Sequence, residues 1–166
     1  MEDNVFVVSE KRRNIWNAEL KLFNVFKEIC ERHHLKYFAD GGTLLGAVRH
    51  HGFIPWDDDL DVSMLRPDYD KFIEYAKKEI PQNCFLQIPE TETDYFFGHA
   101  KIRLNNSTAI RYIQYPEKYE HHQGIFIDIF PIDNIPDNEV FFRIHRFVAL
   151  KIMQIIFFHS KIILLS

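Results

Sequence analysis

The sequence predicts an α+β fold, a mixed sheet flanked by helices and followed by a long C-terminal helix. Three observations carry this. Apolar residues recur at three- and four-residue spacing near both ends of the chain. Between those stretches lie five short runs of strand length, two of them strictly alternating. Gly, Pro and polar clusters separate the runs, which share the chain with the helical stretches.

The chain has 166 residues, enough for one domain with a real core. Its apolar and charged fractions, 46% and 27%, are those of a globular protein, and sixteen phenylalanines make the core aromatic-rich. A formal net charge of −4 gives no global attraction to nucleic acid, which is excluded as a partner on that ground. Cys30 and Cys84 have apolar neighbours and read as buried thiols, not as a disulfide framework or zinc site. The N-terminal MEDNVFVVSEKRR holds no apolar run long enough for a signal peptide, so the reading is a cytoplasmic protein.

Taken in order, Ser9 caps a helix running to about His34. Ile15, Trp16, Leu20, Phe23, Phe26, Ile29 and Cys30 form its core face, with no chemistry visible in it. Leu35 to Ala39 is a short strand entering Gly41-Gly42, and Thr43 to Val48 resumes a brief helix. Two glycines at a strand-to-helix turn let backbone approach a phosphate, and a helix start favours negative charge. Arg49, at the end of that helix, is either a phosphate contact or a surface arginine. Phe53-Ile54-Pro55-Trp56 leads into an acidic strand, Asp57 to Met64. Asp57 and Asp58 read as a solvated face. Asp59 and Asp61 differ, because they alternate with Leu60 and Val62 and so share one face of the strand. Carboxylates this close repel unless a cation neutralises them. Mg²⁺ is typically bound by one or two carboxylates plus substrate phosphates, so a magnesium–phosphate site is expected, with Mn²⁺ as the alternative ion.

Pro67 opens a helix lined by Tyr69, Phe72, Ile73, Ala76 and Ile80, and Cys84 to Ile88 is a strand. In Gly98 to Leu104, Ala100, Ile102 and Leu104 face one way while His99, Lys101 and Arg103 face the other. Beside an acidic site, Lys101 and Arg103 are expected to hold a diphosphate, and His99 to sit on a solvated edge. Tyr112, Tyr115 and Tyr119 either stack on a base or face a partly wet surface. His121 and His122 are either surface residues or substrate contacts, and His122 is carried as a candidate contact. Gly124 to Phe130 is the most apolar strand, and Asp128 within it is expensive to bury unpaired. A coordinating cation or a proton-transfer role removes that difficulty.

The run GGTLLGAVRHHGFIPWDDDLDV resembles the signature of the LicD family, to which fukutin-related proteins are also similar, and GIFIDIFPID resembles its second block. The resemblance spans roughly Leu35 to Pro136. It implies a nucleotidyltransferase-type fold and transfer of a phospho-alcohol, typically phosphocholine from CDP-choline, to a hydroxyl of a cell-surface glycan. It also implies that Gly41, Gly42 and Thr43 form the phosphate-side turn. Asp59 and Asp61 would be the paired metal ligands, with Asp128 as the third carboxylate.

Residues 1–136 are thus expected to form the catalytic domain, with the helix of 1–34 packed on it. Residues 137–166 read as an apolar helix with Phe141, Ile144, Val148, Ile152 and Ile155 on one face. Lys151, His159 and Lys161 interrupt it, so it is not expected to span a membrane. The family's chains continue past this block, so the segment reads as a shortened C-terminal region. Its expected partners are a second copy of the chain or a membrane surface, which would make the protein peripherally membrane-associated. Three other readings stand beside phospho-alcohol transfer: an Asp-x-Asp glycosyltransferase, a nucleotidyltransferase acting on a small molecule, and a non-catalytic relative that binds nucleotide or a partner.

Overall fold

The computed structural model describes residues 6–93, 95, 97–109 and 121–163, with side chains through residue 155. Tyr112, Tyr115 and Tyr119 lie outside the described residues. The chain divides into two compact units, Met1–Ile132 and Asp133–Ser166.

In the first unit, α1 spans Glu10–Arg32, and the Ser9 hydroxyl accepts from the Arg12 backbone N–H at 3.2 Å. The helix ends at His33, whose ring stacks on Tyr75 and whose Nε2 lies 2.6 Å from Glu79 Oε1. The Leu35 N–H then turns back to the Cys30 carbonyl and the Lys36 N–H to Asp68 Oδ2. These bonds close the helix end, so the strand expected from Leu35 is reduced to β1, Phe38–Ala39.

The remaining elements are α2 (Gly41–His50), β2 (Asp61–Leu65), α3 (Arg66–Glu79), β3 (Cys84–Gln87), β4 (Ala100–Leu104) and β5 (Phe126–Ile132). The sheet is mixed, with order β1-β2-β5-β4-β3. β2 and β5 are parallel, and every other pair is antiparallel. The last of the described strands in sequence is therefore the central one in space.

Pleating separates the sheet into two faces. Val62, Met64, Leu86, Ala100, Ile102, Ile127 and Ile129 pack against Leu22, Phe26, Ile29 and Cys30 of α1 and Tyr69, Phe72 and Ala76 of α3. The Phe26 and Phe72 rings meet at 4.9 Å in this core. Cys30 and Cys84 are buried free thiols, and burial pushes Cys30 up to about 12. The opposite face carries a polar row in register across four strands: Asp61, Asp128, Lys101 and Gln87. β4 lies between β5 and β3, so His99 does not border a sheet edge as the sequence suggested.

The second unit holds α4, Glu139–Ile163, whose first N–H groups, those of Val140 and Phe141, donate to Asn138 Oδ1. Val140, Phe141, Ile144, Phe147, Ile152 and Met153 are exposed along it. Among the described residues no helix is long and apolar enough to cross a membrane.

Candidate functional site

The site begins at Asp40, which caps α2. Its Oδ1 accepts from the Gly41 N–H at 2.7 Å, and its Oδ2 accepts from the Ser63 hydroxyl on β2. The cap starts α2 at Gly41, two residues earlier than the sequence suggested. Gly41 has φ +47, a conformation that favours glycine, and a side chain there would come within 3.3 Å of Asp61 Oδ2. At Gly42 an added Cβ would collide with Asp57 Oδ2. Thr43 Oγ1 accepts from the Asp61 N–H at 2.8 Å. The Gly-Gly-Thr turn is thus the cradle in which the carboxylates of Asp57 and Asp61 lie.

Asp57 to Leu60 do not continue β2 as expected. The Asp57 carbonyl accepts from Arg12 Nη1 at 2.6 Å and from Trp16 Nε1 at 3.0 Å, and the Asp57 N–H turns back to the Ile54 carbonyl. These bonds hold residues 57–59 as a loop between α1 and α2. Even so, Leu60 and Val62 are buried while Asp59 and Asp61 are half-buried, as alternation required. Among the described residues, the three carboxylates whose oxygens lie within 4.8 Å of one another are those of Asp57, Asp58 and Asp59.

Asp128 sits beside Asp61 as its register partner on the parallel strand β5. Its Oδ1 accepts from Lys101 Nζ and lies 2.9 Å from His99 Nε2. Burial alone would raise this carboxyl, but the His99 hydrogen bond and the Lys101 charge outweigh it and hold Asp128 below the usual range. Lys101 and Arg103, 5% and 3% exposed, flank the Phe126 ring at 3.9 and 4.6 Å. Arg103 also donates to Gln87 Oε1 at 2.5 Å and to the Gly124 carbonyl at 2.7 Å. Both basic groups expected to grip a diphosphate have these partners within the sheet.

Two other candidates lie apart. Arg49 is exposed in the last turn of α2, eight residues beyond Gly41, or about 12 Å along the axis. His122 stacks on Phe85, accepts from the Gly124 N–H through Nδ1, and meets Asn105 Oδ1 through Nε2 at 2.8 Å. It braces the entry to β5.

A divalent cation fits this donor set. Asp57, Asp58 and Asp59, whose oxygens converge, supply hard oxygen ligands, and Gly41 and Gly42 leave room around the carboxylates of Asp61 and Asp57. Asp128 adjoins the set and is already engaged by Lys101 and His99. The sequence reading missed Asp40, Arg12 and Trp16. The Asp-Gly-Gly-Thr order was the signal for Asp40, since Asp is a strong N-cap residue.

Residues 34–158 match the LicD/FKTN/FKRP nucleotidyltransferase domain. The lipopolysaccharide cholinephosphotransferase LicD of Haemophilus influenzae is 33% identical over 118 residues, 71% of this chain and 43% of that protein. An uncharacterized protein of Rickettsia typhi is 30% identical over 138 residues, 81% of this chain and 39% of that protein. Ribitol 5-phosphate transferase FKRP of Mus musculus and of Homo sapiens is 42% identical over 40 residues, 24% of this chain and 8% of that protein. The chain spans less than half the length of these relatives. With its acidic loop, its capped Gly-Gly-Thr turn and the domain matched across most of its length, the chain belongs to the LicD/FKTN/FKRP nucleotidyltransferase-domain family.

Proposed function

We propose that this chain carries the core of a phosphotransferase that moves a phospho-alcohol from a CDP-alcohol donor, such as CDP-choline, to a hydroxyl of a cell-surface glycan. The observation that carries the reading is the placement of Asp61 beside Asp128 on parallel strands, with Asp59 just ahead and the start of α2 wrapped around Asp61. The names of the relatives support it: one is a cholinephosphotransferase and another a ribitol 5-phosphate transferase.

In this reaction the acceptor oxygen bonds to the phosphorus that carries the alcohol, the P–O bond to CMP breaks, and the hydroxyl proton leaves. Asp59 and Asp61, with Asp128 beside them, would hold Mg²⁺ or Mn²⁺, which when bound offsets charge on the diphosphate. The positive end of α2 favours the same phosphates. Asp128, kept ionised by His99 and Lys101, accepts the proton. Positioning supplies much of the rate in this chemistry, so the clamped loop matters as much as the carboxylates.

The test is incubation with CDP-choline or CDP-ribitol, Mg²⁺ and a glycan acceptor, reading the released nucleotide and the product mass. CMP release with mass gain of the phospho-alcohol is expected, and Asp59→Ala should abolish it while the circular dichroism spectrum stays unchanged. Release of a nucleoside diphosphate would identify a glycosyltransferase, and transfer of the nucleotide half a nucleotidyltransferase. Full activity in Asp59→Ala would remove the site assignment.

A further inference from the structure

Helix α4 belongs to the second unit and takes no part in the transfer chemistry above. At about 3.6 residues per turn, Phe141, Ile144, Val148, Ile152 and Ile155 fall on one stripe of it. All five are exposed, Phe141 by 64%. A continuous apolar stripe left bare on a helix marks a surface for a partner protein or a membrane.

The charges decide between the two. Glu139, Arg143 and Arg146 follow at intervals of four and three residues on the side opposite the stripe. Glu139 accepts from Arg143 Nη2 at 2.6 Å, so between Glu139 and Ile155 the positive charge of Arg146 and Lys151 is in excess. The chain as a whole is acidic, with a net charge of −4. Lys151 stands at one border of the stripe, its Nζ 5.7 Å from the Phe147 ring centroid and 3.4 Å from Gln154 Oε1. Its stem runs along apolar surface while its ammonium is carried to the polar side, as a lysine does where an apolar medium meets water. His145 stands at the other border. In a helix pair closed on this stripe, Lys151 and His145 would flank the seam, and among the described residues no acid borders it to pair with them. An anionic surface supplies that charge.

We propose that α4 lies in the plane of an anionic membrane surface, with its apolar stripe among the acyl chains and Arg143, Arg146 and Lys151 at the phosphate headgroups. The partner is a bilayer that carries acidic phospholipid, recognised by buried apolar area together with headgroup charge. The helix rests on this surface and does not cross it, since among the described residues no helix is long and apolar enough to span. The second unit is thus a tether. It does not rest on the transfer reading, because it fixes where the chain is held and not what it turns over.

The test is co-sedimentation of the full chain with vesicles of phosphatidylcholine alone and of phosphatidylcholine mixed with phosphatidylglycerol. The wild type should partition onto the mixed vesicles, less so as salt is raised, and far less onto the neutral ones. Arg146→Gln and Lys151→Gln should each lower that partition about fivefold, the worth of one basic side chain at an anionic surface. Ile144→Asn combined with Val148→Asn should abolish it, and the Trp emission of Phe141→Trp should shift to the blue on the mixed vesicles only. If the paired apolar variant misfolds, the two charge variants, both at exposed positions, carry the test alone. Equal binding to both kinds of vesicle overturns the proposal, as does an unchanged partition in both charge variants or no binding at all. A dimer in sedimentation velocity that ignores the mixed vesicles overturns it too, and gives the stripe to a second copy of the chain. Charge-dependent vesicle binding without turnover of any CDP-alcohol would refute the transfer reading and leave the tether standing. Turnover without vesicle binding would do the reverse.

Discussion

Lys101 and Asp128 show how a residue's surroundings decide its work. Both are buried, and each is the other's register neighbour on β4 and β5. Removing one partner of such a pair leaves an uncompensated charge, at a cost of about 3–5 kcal/mol. Lys101→Met should therefore destabilise the fold strongly in urea unfolding. Its coupling to Asp128→Asn in a double-mutant cycle should exceed that of exposed pairs such as Arg143–Glu139. His122 carries a pH dependence. Burial, then the Arg103 charge, lower it from 6.5, and its Nδ1 must stay unprotonated to accept from Gly124. The unfolded chain takes up that proton near pH 6.5 and the native one only below it. Stability from this group is thus complete above 6.5 and lost as pH falls through the native value. Melting temperatures from pH 8 to 5 should show that slope, and His122→Gln should flatten it. In the sequence, Asp59, Asp61 and Asp128 stood out as candidates because carboxylates among apolar neighbours need a reason. Lys101 and Arg103 were legible as one strand face, yet not as buried, because β5 pairs beside them only through distant contacts.

Among the elements, the start of α2 carries the sharpest consequence. Gly42→Ala has two opposed effects on stability. Replacing glycine within a helix gains about 0.5–1 kcal/mol, while the new Cβ pushes the Asp57 carboxylate, the movable end of a side chain, out of its place. The melting temperature should change little, and Mn²⁺ affinity and turnover should fall. A variant with unchanged affinity would show that the Asp57 carboxylate does not need that position. Helices α1, α3 and α4 were readable from periodicity to within a few residues. The strands were readable as runs but not in their ends, since β1 and β2 are shortened by bonds from Asp68, Arg12 and Trp16 that no local pattern encodes. The first helix looked purely structural, because the partners of Arg12 and Trp16 lie some forty residues on.

At the scale of the molecule, every residue of the hydrophobic core cluster falls between Leu22 and Ile129, inside the first unit. Met1–Ile132 made alone should give a single cooperative thermal transition close to that of the full chain. A broad, non-cooperative melt would show that 133–166 is needed for the core. The order of the sheet has a further consequence for how the chain is made. Of the five described strands β5 leaves the ribosome last, yet it fills the slot between β2 and β4. Until it emerges, two half-sheets, β1-β2 and β3-β4, wait with unsealed inner edges while residues 105–125 are synthesised, some seconds at typical elongation speeds of about 5–20 residues per second. Each bare edge is a template for pairing with another chain. The same insertion that sets Asp128 beside Asp61 thus leaves the nascent protein without either carboxylate pair or sealed sheet until β5 arrives. Catalytic assembly and protection from aggregation become one event.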